Sequence, residues 1–145
     1  MKKITVIYWS GTGNTEAMAE AVAAGAGSEG VEVTVVPVSE AAKADLISAD
    51  AVALGCPAMG DEVLEEGEME PFVSTLEQAG LHGKPLALFG SYDWGDGQWM
   101  RDWAERMKAC GAQLVNEGLI VKNNPDEMAL DKCKKLGAEL AAAIQ

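Results

Sequence analysis

The chain has 145 residues, of which 48% are hydrophobic and 23% charged, a balance typical of a soluble globular protein. Its 23 acidic and 11 basic residues give a formal net charge of −12, which disfavours binding to nucleic acids or anionic membranes and favours basic partners. Solubility alone explains this acidity equally well until the acidic residues are placed in the fold. The length predicts one domain spanning residues 1–145.

Cysteine usage and the lack of long apolar segments predict a cytoplasmic protein. The three cysteines, Cys56, Cys110 and Cys133, are odd in number and form no CxxC pair, so we expect neither a disulfide framework nor a four-thiolate metal site. Cys56 ends a strongly apolar segment and is expected to pack rather than to react. The first apolar run is too short for a signal peptide, and no segment approaches the length of a transmembrane helix.

Segments typical of strands alternate along the chain with segments typical of helices. The predicted strands are 3–9, 31–38, 50–57, 84–91 and 112–121. The predicted helices are 14–26, 39–48, 67–80, 96–111 and 126–145, with Ser39 capping the second, Gly111 ending the fourth and Asp126 near the start of the last. This alternation predicts an α/β fold in which a parallel sheet carries helices on both faces.

Three loops rich in glycine and polar residues follow the first, third and fourth predicted strands. They are residues 10–15, 57–67 and 91–97. Ligands of such sheets bind beyond the carboxyl ends of the strands, where the strand order reverses. We therefore expect the three loops to form one composite site.

The first of these loops, with the sequence SGTGNTE, has the character of a phosphate site. It lacks the Gly-Lys pair of a nucleoside triphosphate loop, and Glu16 stands where a dinucleotide-binding loop needs its third glycine. What remains is a cluster of backbone N–H groups at a helix amino terminus, surrounded by hydroxyl and amide side chains. These side chains are Ser10, Thr12, Asn14 and Thr15. An ordinary helix cap needs only one hydroxyl, so the pattern favours a phosphate.

The tryptophans near the third loop fall into two kinds. Trp99 and Trp103 are spaced i, i+4 on a predicted helix, which indicates core packing. Trp94 lies among glycines that offer it little to pack against, so we expect it to cover a ligand. Tyr92 either shares that role or fills the base of the loop.

The second loop supplies a polarizable side chain, Met59, followed by Gly60, where the backbone turns at little cost. Residues 61–70 contain six acidic side chains and no basic one. Some of these form a solvated surface, but acidity beside the site would disfavour further negative charge on a ligand. A phosphate at one end and a flat ring between Met59 and Trp94 describe flavin mononucleotide (FMN).

With these segments the chain resembles the short-chain flavodoxins over essentially its whole length. The resemblance rests on SGTGNTE, GCPAMGDE and GSYDWGDGQWM, which occur in the expected order and spacing. It implies a flavodoxin-like doubly wound five-stranded parallel sheet of order 2-1-3-4-5. It also implies a low-potential one-electron carrier, not an enzyme, in which non-covalently bound FMN shuttles between semiquinone and hydroquinone to link redox enzymes.

The resemblance also implies which residues bind FMN. In the first loop these are Ser10, Gly11, Thr12, Gly13, Asn14 and Thr15. In the second they are Pro57, Ala58, Met59, Gly60, Asp61 and Glu62, and in the third Ser91, Tyr92, Asp93, Trp94 and Gly95, with Asn123 bordering the site. No catalytic residue is implied.

Several of these residues receive individual roles from the resemblance. Met59 would lie on the inner face of the ring and Trp94 on the outer face. Glu62 would accept a hydrogen bond from flavin N3–H, and Ser91 with its neighbouring backbone would contact the ribityl chain and the pyrimidine edge. The carbonyl of Gly60 would turn towards flavin N5 after uptake of one electron.

Two positions depart from the family pattern. Pro57 stands where some relatives have a serine, which removes one phosphate contact, and Asp93 stands where glycine is common, which makes the site more negative. Together with Asp61 and Glu62, Asp93 is expected to disfavour an anionic hydroquinone. The implied partners are redox enzymes with basic docking surfaces, and the protein itself is expected to be a monomer.

Two other classes of function compete with this interpretation. An FMN enzyme that uses NAD(P)H or reduces a quinone would need a second pocket over the flavin, for which compact loops leave little room. It would also need basic residues for a nicotinamide cofactor. A phosphate-binding regulatory module would leave Trp94, Met59 and the acidic rim without explanation.

Overall fold

A computed structural model of the protein describes residues 2–27 and 30–144. The strands are β1 (Lys2–Tyr8), β2 (Val31–Pro37), β3 (Ala51–Gly55), β4 (Pro85–Tyr92), β5 (Gln113–Leu114) and β6 (Leu119–Lys122). The helices are α1 (Asn14–Ala26), α2 (Lys43–Ile47), α3 (Met69–Ala79), α4 (Gln98–Ala109) and α5 (Glu127–Ala142). Gln145, the last residue of the final predicted helix, lies outside the described residues. None of the helices described here has the length and apolar character that a membrane span requires.

All strand pairs of the sheet are parallel, in the order β2-β1-β3-β4-β5, with β6 also paired to β4. The predicted order 2-1-3-4-5 and the flavodoxin-like fold class are therefore confirmed. Tyr8 at the end of β1 is in register with Gly55 at the end of β3, and Gly55 is in register with Phe89 of β4. The loops that follow these three strands consequently leave the same edge of the sheet.

The prediction of one continuous fifth strand over 112–121 is wrong. Leu114 pairs with Leu86 and Leu119 pairs with Phe89. Between these two pairs the edge strand therefore advances by five residues while β4 advances by only three. The extra residues leave the ladder between β5 and β6. Gly118 allows this excursion because its φ is 108°, and a Cβ there would collide with the side chain of Met100.

The predicted helix over 39–48 is also shorter than expected, and Ser39 does not cap it. A 3₁₀ turn covers Val38–Glu40, and α2 begins only at Lys43 after two residues of extended backbone. The backbone N–H of Ala42 donates to Asp45 Oδ2 at 2.7 Å, so the carboxylate on the first turn closes this helix end. A side chain inside the helix thus replaces the expected cap.

The core lies on both faces of the sheet. On one face α1 and α5 pack so closely that a Cβ on Gly25 or Gly137 would overlap the backbone of the facing helix. On the other face Trp99 and Trp103 of α4 are fully buried, 1% and 0% exposed, which confirms the prediction of core packing for both. The site is thereby held at one edge of a sheet whose two faces are covered.

Candidate functional site

The three glycine-rich loops meet in one cavity of about 140 Å³ at the carboxyl edge of β1, β3 and β4. It is lined by Trp9, Gly11, Thr12, Asn14, Pro57, Ala58, Met59, Ser91, Tyr92 and Asp93. Nine of these ten residues belong to the set implied by the resemblance. The other members of that set lie outside the lining, and they are Ser10, Gly13, Thr15, Gly60, Asp61, Glu62, Trp94, Gly95 and Asn123.

The first loop organises itself through its own hydroxyls. Ser10 Oγ accepts hydrogen bonds from the N–H groups of Gly13, at 3.1 Å, and of Glu16, at 3.2 Å. Because this oxygen already accepts twice, its own hydrogen remains available to an incoming acceptor. Ser10 thus shapes the loop first, and its hydroxyl can serve a ligand in addition.

Several backbone donors of the same loop are free to bind an anion. Within the described residues, the N–H groups of Gly11, Thr12 and Thr15 have no hydrogen-bond partner. Gly13 has a φ of 96° and directly precedes α1. The free N–H groups therefore lie at the amino terminus of that helix, where anions bind readily. The helix dipole adds positive potential there, and the chain has no lysine or arginine between Lys3 and Lys43.

The acidic residue that follows this loop, Glu16, is bonded to Tyr8. The hydroxyl of Tyr8 donates to Glu16 Oε2 at 3.0 Å. Burial, followed by this hydrogen bond and the nearby negative charge of Glu16, raises the pKa of Tyr8. The carboxylate that departs from the dinucleotide motif is therefore tied to Tyr8, on the wall of a neighbouring crevice.

Thr15 and Ser91 connect the first loop to the third one. Both residues are buried, and their hydroxyl oxygens are 3.0 Å apart in a hydrogen bond across 76 positions of sequence. Thr15 can direct its hydrogen towards a ligand only when Ser91 is the donor of that bond. The expected phosphate contact of Thr15 thus depends on a residue at the end of β4.

The second loop contains a tight turn next to the cavity. Met59 and Val63 exchange two backbone hydrogen bonds, of 2.9 and 3.0 Å, which close the turn around residues 60–62. Gly60 is exposed with a φ of 49°, and no heavy atom lies within 4 Å of the position that a Cβ would take. The tip of the turn therefore has space to change its conformation.

Glu62 points from this turn to the third loop. Its Oε1 accepts hydrogen bonds from the N–H groups of Gly97, at 3.0 Å, and Gln98, at 3.1 Å. Only its second oxygen is left for the flavin N3–H that the resemblance assigns to it. The sequence offered no local sign of this contact, which joins residues 35 positions apart.

The third loop carries an exposed tryptophan, and the first turn of α4 carries a buried one. Trp94 is 60% exposed, whereas Trp99 is buried and donates from Nε1 to the Cys56 carbonyl at 3.1 Å. The ring of Tyr92 lies 5.7 Å from that of Trp99 and also lines the cavity, so it both fills the base of the loop and faces the site. Asn123 donates its backbone N–H to the carbonyl of Tyr92, which lines the cavity, at 2.8 Å.

One lining residue, Trp9, was missing from the sequence-based set. Its indole N–H donates to Glu68 Oε1 at 3.2 Å, and a Cβ on Gly11 would lie 3.0 Å from its ring. It therefore forms a wall between the first and second loops. An aromatic residue at the junction of a strand and a glycine loop was the available signal.

Cys56 is packed, as predicted. It is fully buried, and burial raises the pKa of its thiol to about 12. Its Sγ accepts the backbone N–H of Glu65 at 3.4 Å, which helps to hold the second loop on the end of β3. The thiol thus has a structural role beneath the site.

The residues present fit FMN. Free N–H groups at the amino terminus of α1 suit a phosphate, and the adjoining cavity carries the flat or polarizable side chains Trp9, Met59 and Tyr92 for a ring. The fold and the site define an α/β protein that binds a phosphorylated, flat-ringed cofactor at the carboxyl edge of its sheet.

The comparisons with known proteins agree with this class. The sequence model of the flavodoxin family matches residues 6–137. The chain is 50% identical to flavodoxin of Clostridium beijerinckii over 136 residues, which are 94% of this chain and 97% of that protein. It is 43% identical to flavodoxin of Megasphaera elsdenii over 140 residues, which are 97% and 99% of the two chains.

A solved structure gives the same result. The solution structure of two-electron reduced Megasphaera elsdenii flavodoxin matches with a TM-score of 0.85 and 42% identity, over 96% of this chain and 98% of that one. The chain belongs to the flavodoxin family. Flavodoxins are electron carriers that bind FMN and pass electrons to redox partners, so FMN is the cofactor that family membership assigns to this chain.

Proposed function

We propose that this protein carries single electrons between redox enzymes at low potential, with its FMN cycling between semiquinone and hydroquinone. The observation that carries the proposal is the turn around Gly60 beside the cavity. Its base is closed by the Met59–Val63 hydrogen bonds, while its tip has no protein atom against Gly60. Such a turn can reorient one peptide group cheaply when the protonation of a neighbouring ring atom changes.

The charges around the cavity support the low potential. Asp93 lines the cavity, and Asp61 is exposed at the tip of the turn. The carboxylate of Glu62, the next residue of the turn, is bonded to Gly97. These carboxylates disfavour the negative charge that a bound ring gains when it is fully reduced, because like charges at short range repel most strongly where water is partly excluded. The residues that surround the ring thus make its fully reduced form harder to reach.

The same surroundings favour transfer to a protein partner over catalysis on a second substrate. The cavity is small, and Trp94 of the third loop is exposed beside it. In this proposal the protein is an electron-transfer protein, not an enzyme. It works as a monomer of one FMN-binding domain over residues 1–145 in the cytoplasm, without nucleic acid or membrane. Its net charge of −12 steers it to basic docking surfaces.

Stepwise anaerobic reduction of the FMN-loaded protein, followed by visible absorbance, tests the proposal. We expect the long-wavelength band of a neutral semiquinone to rise and then fall. Direct bleaching to hydroquinone would instead indicate a two-electron enzyme. If the protein binds no FMN, the anion site in the first loop serves another ligand and the proposal fails.

The Gly60→Val variant tests the role of the turn in the same titration. A β-branched residue at positive φ is strained, so we expect a lower maximum of the semiquinone band. Gly83→Val is the matched control, because Gly83 also has positive φ (81°) and open space around it but lies at the opposite edge of the sheet. An unchanged band in Gly60→Val, or an equal loss in Gly83→Val, would refute the assigned role.

A further inference from the structure

The contact of Glu62 with α4 joins the two loops that flank the ring side of the cavity. Glu62 belongs to the turn of the second loop, and its Oε1 accepts the N–H groups of Gly97 and Gln98. Gly97 directly precedes α4 and Gln98 is the first residue of that helix. A carboxylate at this position satisfies two free helix N–H groups and lies at the positive end of the helix dipole.

The third loop is shaped to pass over this carboxylate. A Cβ placed on Gly95 would lie only 2.5 Å from Cδ and Oε1 of Glu62, so any side chain there would displace the carboxylate. Gly95 and Gly97 both have positive φ, of 90° and 95°. The backbone on either side of Asp96 therefore bends around the Glu62 side chain, one residue after Trp94.

The turn that carries Glu62 is held at two points. The Met59–Val63 hydrogen bonds close its base, and the side chain of Glu62 fixes its far side to α4. Glu62 itself has a φ of 56°, a strained conformation for a residue with a side chain, which needs support from its surroundings. Within this turn, neither Gly60 nor Asp61 makes such a contact to the rest of the described chain.

We propose that Glu62 is a positioning residue that fixes the second loop to the third one. We name its paired hydrogen bonds to Gly97 and Gln98 the Glu62 latch. The latch sets the distance between the turn at Met59 and the loop at Trp94, and it confines movement of the turn to Gly60 and Asp61. This role is separate from any direct contact of Glu62 with the ring.

The latch also predicts an effect on the cofactor, and this part rests on the proposed function. With the latch intact, the two loops on the ring side are already in place when FMN binds, so little ordering is needed. Without it, the loop that carries Trp94 loosens and FMN dissociates faster. The first part of the proposal concerns the protein alone and can be tested even if FMN does not bind.

Amide hydrogen exchange in the full-length protein, with saturating FMN and again without it, tests the latch. In Glu62→Ala we expect exchange at Gly97 and Gln98 to accelerate about tenfold or more, because both amides lose a charged acceptor. Glu62→Gln keeps a carbonyl oxygen for the same amides and should change exchange much less. Unaltered protection in Glu62→Ala would overturn the proposal.

Two controls separate local from general effects. Glu66→Gln removes one charge from the same acidic segment at an exposed position and should leave exchange at Gly97 and Gln98 unchanged. Amides of the buried strand β3 should remain protected in every variant, which shows that the protein is still folded. An equal acceleration in Glu66→Gln would mean that net charge, not the latch, protects these amides, and would overturn the proposal.

The dissociation rate of FMN distinguishes positioning from direct contact. If Glu62 acts through the latch, Glu62→Ala releases FMN faster than Glu62→Gln does, because only the alanine variant lacks an acceptor for Gly97 and Gln98. If Glu62 acts only on the ring, both variants release FMN equally fast although Glu62→Gln keeps its amides protected, and the positioning role is then wrong. Failure of all forms to bind FMN refutes the proposed function, while the exchange data still decide on the latch.

Discussion

The two halves of the site are built in opposite ways. The first loop is internally bonded: Ser10 binds two of its amides, and Thr15 is buried against Ser91. The ring side has an exposed turn tip at Gly60 and an exposed Trp94, joined mainly through Glu62. The comparison indicates that the phosphate half is fixed in advance, whereas the ring half keeps the freedom that a change of redox state needs.

Removing the hydroxyl of Ser10 should produce the largest loss in cofactor binding. Ser10→Ala leaves the N–H groups of Gly13 and Glu16 without their acceptor and takes one hydroxyl from the phosphate site. We expect FMN binding to weaken about 10- to 100-fold, the value of one or two hydrogen bonds to a charged group. Calorimetric titration with FMN measures this change.

Ser39→Ala is the control for this experiment. Ser39 is exposed and caps no helix, so its removal should leave FMN affinity unchanged. If Ser10→Ala binds FMN as tightly as Ser39→Ala does, the first loop does not depend on its own hydroxyl and the comparison between the two halves loses its basis.

The buried hydroxyl pair should affect folding more than any contact of the ring half. Ser91→Ala leaves the hydroxyl of Thr15 buried without its partner, and we expect a loss of about 1–3 kcal/mol in the free energy of unfolding. Thr15→Val combined with Ser91→Ala removes both polar groups and should cost less than the sum of the single changes. Urea unfolding without FMN measures the coupling, and strictly additive losses would show that the two hydroxyls do not support each other.

Local patterns predicted most of the fold, because the alternation of strands and helices and the loop chemistry are properties of short segments. The strand order, the meeting of the three loops and the burial of Trp99 and Trp103 agree with the structure. The interruption of the fifth strand could not be read from its sequence, because it depends on Met100 of α4 lying against Gly118.

Two contacts at the site that the sequence did not predict are long-range. The partner of Thr15 is 76 positions away and that of Glu62 is 35 positions away. Both side chains belong to sequence motifs that are associated with ligand binding, and the motifs predict only contacts with the ligand. The structure shows that they also hold the loops together, which a motif does not record.

Trp94 offers a test of the ring half that should scarcely change stability. Its side chain is 60% exposed, so we expect Trp94→Ala to change the free energy of unfolding without FMN by less than about 0.5 kcal/mol. FMN should nevertheless bind more weakly, because the ring loses an aromatic neighbour. Denaturant unfolding and FMN titration measure the two effects. A loss of stability as large as that of Ser91→Ala would mean that the ring half is as tightly built as the phosphate half.

Lowering the pH should reduce amide protection in the ring half before it does so in the phosphate half. We expect this effect to be smaller than the effects of the substitutions above. Burial would raise the pKa of Glu65, but hydrogen bonds from the N–H groups of Met69, Glu68 and Gly67 outweigh it, so the pKa is lowered. Hydrogen bonds from Arg106 likewise lower the pKa of Glu70, on the helix that follows the second loop. A carboxyl whose folded pKa lies below its unfolded value stabilises the fold above the unfolded value, and this contribution is lost as the pH falls through the folded one.

The second loop and the start of α3 should therefore lose amide protection between roughly pH 5 and pH 3, before the first loop does. Residues 10–15, which form the first loop, include no carboxyl side chain. Exchange at Gly67 and Met69, compared with exchange at Gly13 and corrected for the intrinsic effect of pH, measures the difference. Glu65→Gln keeps an acceptor that does not titrate, so it should flatten the pH dependence at the start of α3. A dependence as steep as before would show that Glu65 is not its source.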